Sequence, residues 1–152
     1  MREEVWKSFL PAAFQSAGRV RAPSCSQTPS LDDGRDLMYY QLRRTDGSPS
    51  EFSEGVIVDS DGETQRLDRS DVSIEVLDTW TSPDGAHTYP VEWRLRVPGE
   101  DIDLEITSLI PNQELDVSVR YWEGAVRVEG SASGRGYVEM TGYGDSSGSP
   151  VS

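Results

Sequence analysis

Tyr89-Pro90-Val91-Glu92-Trp93-Arg94-Leu95-Arg96-Val97, then Pro98-Gly99, then Asp101-Ile102-Asp103-Leu104-Glu105-Ile106-Thr107: the reading of this stretch decides the fold. Tyr89, Val91, Trp93, Leu95 and Val97 alternate with Glu92, Arg94 and Arg96. After the Pro-Gly turn, Ile102, Leu104 and Ile106 alternate with Asp101, Asp103, Glu105 and Thr107. Successive side chains leave a strand on opposite faces, so a period of two with one apolar face describes a half-buried antiparallel strand.

The pattern extends both ways. Upstream, Val72, Ile74 and Val76 alternate with Asp71, Ser73 and Glu75 before the turn Pro83-Asp84-Gly85. Further up, Asp36 to Arg44 is a strand bearing Leu37, Met38, Tyr39, Tyr40 and Leu42, opened by Asp32-Asp33-Gly34 and closed by Asp46-Gly47. Val56-Ile57-Val58 is the next, ended by Asp61-Gly62, and Gln65 to Leu67 is a short one. Downstream, Tyr121 to Glu129 and Arg135 to Thr141 flank Gly130-Ser131-Ala132-Ser133-Gly134. Folding about Ala132 would set Val126 opposite Val138, Ala125 opposite Glu139 and Glu129 opposite Arg135. Short strands punctuated by Gly and Asp turns, with no helical pattern among them, predict an all-β barrel or sandwich.

The two ends read differently. Val5, Trp6, Phe9 and Leu10 suit a turn or two of amphipathic helix before Pro11 stops it, and Gly18, Pro23, Ser24, Ser26, Pro29 and Ser30 suit loop. Residues 1–30 are therefore expected to be poorly ordered, residues 31–143 to form one β domain, and residues 144–152 to be a flexible tail.

Composition narrows the function classes. Only 35% of the 152 residues are hydrophobic, but 4 Trp, 6 Tyr and 3 Phe argue against a disordered chain. With 27 acidic and 14 basic residues the formal charge is −13, a field that repels phosphate backbones, so nucleic acid is not expected as a partner. Cys25 is the sole cysteine, which excludes an intrachain disulfide, and it reads as a bystander thiol in a flexible segment. His87 is the sole histidine; following Asp84-Gly85-Ala86, it reads as a surface loop residue and no metal site is expected. No apolar run approaches a transmembrane segment, and the start lacks the h-region of a secretory signal. As it stands the chain reads as cytoplasmic, while a longer precursor could be exported.

Asp33-Gly34-Arg35-Asp36-Leu37-Met38-Tyr39-Tyr40, Thr79-Trp80-Thr81-Ser82-Pro83, Tyr89-Pro90-Val91-Glu92-Trp93, Tyr121-Trp122-Glu123-Gly124-Ala125-Val126 and Gly134-Arg135-Gly136-Tyr137-Val138-Glu139-Met140-Thr141-Gly142-Tyr143 follow one another in order across residues 32–143. Together they resemble the C-terminal domain of the AttH-like / carotenoid 1,2-hydratase (hydroxyneurosporene synthase) family. The resemblance implies a lipocalin-like antiparallel barrel, closed or incompletely closed, and a second lipocalin-like domain as tandem partner. It also implies a hydro-lyase that adds water across the 1,2 double bond of acyclic carotenoids without a cofactor. The family's aromatic strand before the Asp33-Gly34-Arg35 block and its histidine-tryptophan element have no counterpart here, where Arg19 to Ser26 neither alternates nor contains a tryptophan. The expectation is a truncated or frame-altered N-terminus and a chain that is inactive by itself.

Hydrating an alkene needs a proton donor, a pocket tolerant of a tertiary cation, and a positioned water. No catalytic constellation can be read here. Glu123 and Glu139 share a face of the last hairpin and are the candidates for acid and water-activating base; the competing reading turns them to solvent, as it does Glu92. Trp93, Trp122, Tyr40 and Tyr121 are the candidate lining of a site for a hydrophobic small molecule, of isoprenoid or lipid character. For Trp93 and Trp122 a purely core role weighs equally, and for Trp80, Tyr39 and the other aromatics it is favoured. Three readings follow: a hydrophobic-ligand module, part of a hydro-lyase, and a structural half that pairs with a lipocalin-like partner or a second copy.

Overall fold

The computed structural model describes residues 24–44, 46–116 and 120–143, so the expectations for residues 1–23 and for the tail 144–152 lie outside the described residues. Ten strands follow in order: β1 (Ser24–Leu31), β2 (Asp36–Leu42), β3 (Glu54–Val58), β4 (Thr64–Asp68), β5 (Ser73–Thr81), β6 (Thr88–Val97), β7 (Ile102–Ser108), β8 (Glu114–Asp116), β9 (Arg120–Gly130) and β10 (Gly134–Thr141). A 3-10 turn, Pro98–Glu100, joins β6 to β7. The strands form one antiparallel sheet in the order β4-β3-β2-β1-β10-β9-β7-β6-β5, and β8 pairs with the start of β9. The fold is all-β, as expected. No helix among the described residues is long and apolar enough to cross a membrane.

The chain itself forces the sheet to curl. Laid flat, nine strands would hold β4 and β5 about 38 Å apart. Only Arg69–Val72 connects them, and five Cα steps reach about 17 Å at most. The edges are thus drawn together at that end, yet no ladder joins β4 to β5 among the described residues. The result is an open half-barrel. β5 shows the cost of that opening: Val76 and Leu77 in its middle are 38% and 42% exposed. Its register to β6 also shifts on either side of Asp78, close to where Pro90, which has no N–H to give, faces Thr79.

The apolar faces read in the sequence for β6, β7, β9 and β10 point inward. Val91, Trp93, Leu95 and Val97 of β6, Ile102, Leu104 and Ile106 of β7, Trp122, Val126 and Val128 of β9, and Val138 and Met140 of β10 are buried. Trp93 and Trp122 meet edge-on with ring centroids 6.2 Å apart. Trp122 Nε1–H donates to the Pro111 carbonyl (2.8 Å), so this indole is both packed and hydrogen-bonded.

Two sequence expectations are corrected, and one strand is added. Residues 24–30, expected to be loop, form most of β1, which lies between β2 and β10 in the middle of the sheet. Its buried positions are Cys25, Gln27, Pro29 and Leu31, an alternation hidden because two of the four are polar or proline. Pro29 is tolerated because the β1–β2 ladder skips Thr28 and Pro29, while Gly136 lies opposite on β10, where a Cβ would strike the Pro29 backbone. Cys25 is accordingly no bystander in a flexible segment but a core residue, 4% exposed.

The second correction concerns the last hairpin. Gly136 faces Val126, Val138 faces Gly124, Arg135 faces Arg127 and Glu139 faces Glu123, two residues away from the expected register. The tip explains the shift. Gly130 pairs with Leu104 of β7, and Ser131 N–H donates to the Asp103 carbonyl (2.9 Å), so the end of β9 belongs to β7 rather than to β10. A slip of two preserves faces, and Val126 and Val138 remain buried. The added strand is β8, which no alternation in residues 109–116 announces. Gln113 creates it: Glu123 N–H donates to the Gln113 carbonyl (3.1 Å), and Ala125 N–H donates to Gln113 Oε1 (3.2 Å). Gly124 lies between those contacts, where a Cβ would run into the Gln113 amide.

Candidate functional site

The two ends of the barrel differ in chemistry. One is aliphatic and tied shut: Leu31, Val97, Ile102 and Val128 are buried there, Arg35 Nη1 donates to the Glu100 carbonyl (3.2 Å), and Gln65 hydrogen-bonds the Glu100 carboxylate. At the other end the inward positions are Trp80 on β5, His87 just before β6, Tyr89 on β6, Glu114 on β8, Cys25 on β1 and Gln41 on β2, with Tyr143 just past β10. Antiparallel order brings these strand starts and strand ends together.

His87 is the residue whose placement the sequence missed. It was expected on a surface loop, yet it is 6% exposed. The turn Ser82–His87 folds it in: Ser82 N–H donates to the His87 carbonyl (2.8 Å), His87 N–H donates to Ser82 Oγ (3.0 Å), and Ser82 Oγ–H donates to Asp84 (2.5 Å). Inside, His87 Nδ1 lies 3.3 Å from Glu114 Oε2, and the two side chains are only 7% and 18% exposed. A carboxylate beside one ring nitrogen orients the imidazole. The missed signal lay in β8, without which Glu114 has no reason to face inward.

Aromatic rings fan out from this pair. Tyr89 has His87 on one side (centroids 6.4 Å apart), Trp80 stacked on another (6.4 Å, 20° between planes) and Tyr143 on a third (5.7 Å). The Arg43 guanidinium sits 5.8 Å from the Tyr143 ring centroid. Burial pushes the Cys25 thiol up to about 12, partly offset by the Gln27 amide and the charge of Arg43. Burial likewise raises the Tyr143 phenol to about 12. Both groups are therefore protonated at neutral pH.

The candidates from sequence are distributed differently. Trp93 and Trp122 lie in the core at 1% and 0% exposure, beneath the aromatic end. Tyr40 and Tyr121 are half-buried on the outer face, each next in sequence to an inward neighbour, Tyr39 and Trp122. Glu123 and Glu139 stand directly opposite one another on that same outer face, both exposed. Burial, and then the charge of Glu123, raise the Glu139 carboxyl above its ordinary range. Glu92 is half-buried, and its carboxyl is raised by burial and by Glu105. The structure does not bring Glu123 or Glu139 together with the inward tryptophans.

The AttH-like family matches residues 29–143. A solved structure from Nitrosomonas europaea, described as a candidate AttH, is similar at 35% identity and a TM-score of 0.73, covering 81% of this chain and 40% of that one. Kievitone hydratase from Nectria haematococca is similar at 18% identity and a TM-score of 0.68, covering 82% of this chain and 40% of that one; this likeness shows the fold alone. The chain thus spans well under half the length of either solved relative. No curated protein matches it.

Proposed function

The chain belongs to the AttH-like family, and from that premise we propose that it is a lipocalin-like half that binds a hydrophobic, isoprenoid or lipid-like small molecule at its aromatic end. The observation that carries this reading is the contrast between a filled interior and that end. Trp93 and Trp122 plug the barrel, so a ligand meets Trp80 and Tyr143, with the buried Tyr89 ring behind them, rather than a deep cavity. Aromatic faces with a few polar groups among them suit an apolar chain carrying one polar or incipiently cationic centre. Titrating tryptophan fluorescence with acyclic isoprenoids tests the proposal. Saturable quenching that Trp80→Ala weakens at least fivefold supports it, and no quenching by any isoprenoid refutes it.

A second reading, part of a hydro-lyase, is favoured by the buried His87–Glu114 pair. In that role the pair delivers a proton to the alkene carbon, water adds to the resulting tertiary cation, and the proton lost by that water returns to the pair. The relatives are about two and a half times the matched length, which supports a partner: a second lipocalin-like half completes the site and covers the open edges β4 and β5. Hydration of an acyclic carotenoid is then expected only with both halves present. Product formed by this chain alone would overturn the need for the partner.

A further inference from the structure

The tip of the last hairpin is pulled two ways. Val128 and Gly134 are the last pair that β9 and β10 share, and beyond them Glu129 and Gly130 face Glu105 and Leu104 of β7. On that side Ser131 N–H donates to the Asp103 carbonyl (2.9 Å), while on the other the Ser133 carbonyl accepts from Asp32 N–H (2.7 Å), just past β1. A groove of about 550 Å³ lies there, lined by Ser30, Asp32, Arg127, Glu129, Ser133 and Arg135. Arg127 and Arg135 are direct cross-strand partners, with Ser30 opposite Arg135 on β1 and Thr107 opposite Arg127 on β7. Four neighbouring strands thus set two guanidiniums in one row, flanked by two hydroxyls. Glu129 and Asp32 stand two residues beyond this row toward the tip, and Tyr137, 61% exposed, stands two residues back from it on β10.

Like charges placed directly opposite one another destabilise a sheet. Facing glutamates, as at Glu123–Glu139 and Glu105–Glu129, are hard to avoid in a chain with 27 acidic residues, but it has only 14 basic ones. Glu129 relieves one arginine through its Oε2, 3.4 Å from Arg127 Nε, which leaves the Nη edge of that guanidinium. Arg135 is exposed, and no ion pair or side-chain hydrogen bond joins it to any described residue. We propose that Arg127 and Arg135 form a site for a monocarboxylate that carries a ring, with the carboxylate on the two guanidiniums and the ring on Tyr137. A planar carboxylate takes two parallel N–H bonds from one guanidinium and keeps lone pairs for a second. Asp32 and Glu129 oppose a phosphate group, which brings more than one negative charge. The formal charge of −13 opposes any anion at long range, so affinity has to come from these short contacts. The site lies on the outer face and is independent of the ligand proposed for the aromatic end.

The test titrates the full chain at neutral pH with benzoate, its uncharged analogue benzamide, acetate and inorganic phosphate, read by calorimetry and by the arginine Nε–H resonances. Benzoate is expected to bind about tenfold more tightly than benzamide, the worth of a charge-assisted hydrogen bond. Arg135→Gln should weaken benzoate by about the same factor. Arg135→Lys keeps the charge but loses the planar fork, and should recover only part of that loss. Tyr137→Ala should weaken benzoate about threefold and leave acetate unchanged. Melting curves give an independent reading. Without ligand at low salt, Arg135→Gln should melt no lower than the wild type, because it ends the repulsion across the two strands. Saturating benzoate should then raise the wild type more than the variant. Benzamide bound as tightly as benzoate, or benzoate binding that survives Arg135→Gln, would overturn the site. So would phosphate or acetate bound as tightly as benzoate, or no binding of any of the four.

Discussion

The imidazole of His87 and the carboxylate of Glu114 meet 3.3 Å apart inside the barrel end, joining the start of β6 to β8 across an aromatic cluster. A pair this buried loses more when one partner is left alone than when the contact is merely weakened. Glu114→Ala is expected to lower stability by about 1–3 kcal/mol and Glu114→Gln by less, since the amide keeps a polar oxygen beside Nδ1. Urea denaturation of both variants checks the ranking, and equal losses would show that the carboxylate is not what holds His87.

Glu139 and Glu123 face one another on the outer sheet, and the Glu139 carboxyl is raised by its own partial burial and then by that neighbour. An acid whose folded value lies above its unfolded one binds its proton more tightly when folded. Its contribution is therefore most favourable below the ordinary glutamate range and is lost as pH rises through the raised value. Glu139→Gln should be more stable than the wild type at neutral pH, with the difference vanishing on acidification through that window. Solvent screening of two exposed groups limits the gain to roughly half a kcal/mol. Melting curves of both proteins between pH 4 and pH 7 on the order of half-unit steps would show it, and a constant difference would refute the linkage.

The sequence displayed β2, β6, β7, β9 and β10 because each is half-buried with apolar residues on one face, so the period of two survives in the chain. β1 was illegible for the opposite reason. Its inward residues are Cys25, Gln27, Pro29 and Leu31, and polar side chains placed inside erase the very contrast that periodicity detects. His87 was misplaced because a turn signal, Pro83-Asp84-Gly85, correctly marks the backbone and says nothing about a side chain folded back beneath it. The pairing partner of β9 was equally hidden, since the choice between β7 and β10 at Gly130 is settled by contacts distant in sequence.

Trp122 serves packing before any ligand. It is fully buried, it meets Trp93 edge-on, and its indole N–H satisfies the Pro111 carbonyl of the segment leading to β8. Trp122→Phe removes that hydrogen bond and part of the ring, and about 2–4 kcal/mol of stability should go with them. Ligand affinity per folded molecule should stay within roughly threefold of wild type, about 0.6 kcal/mol. A large loss of affinity with little loss of stability would make Trp122 a contact residue instead of a support.

Gly130 sets the register of the last hairpin, and its substitution tests that role. Its φ is +138°, a backbone region that L side chains rarely adopt, and a Cβ there would strike the Asp103 carbonyl. That carbonyl also accepts from Ser131 N–H (2.9 Å), and Asp103 N–H donates to Ser131 Oγ (3.0 Å), so the tip of β9 is clamped to β7 through this residue. Gly130→Ala must either strain the backbone or release the clamp, at about 1–3 kcal/mol. Release would free Glu129 and Gly130 from β7 and allow β9 to slide by two residues along β10, restoring Glu129 opposite Arg135 without turning any side chain to the other face. Cross-strand nuclear Overhauser contacts distinguish the outcomes. Gly136 should keep Val126 as its partner if the variant is only strained, and Val138 should take it if the register has moved.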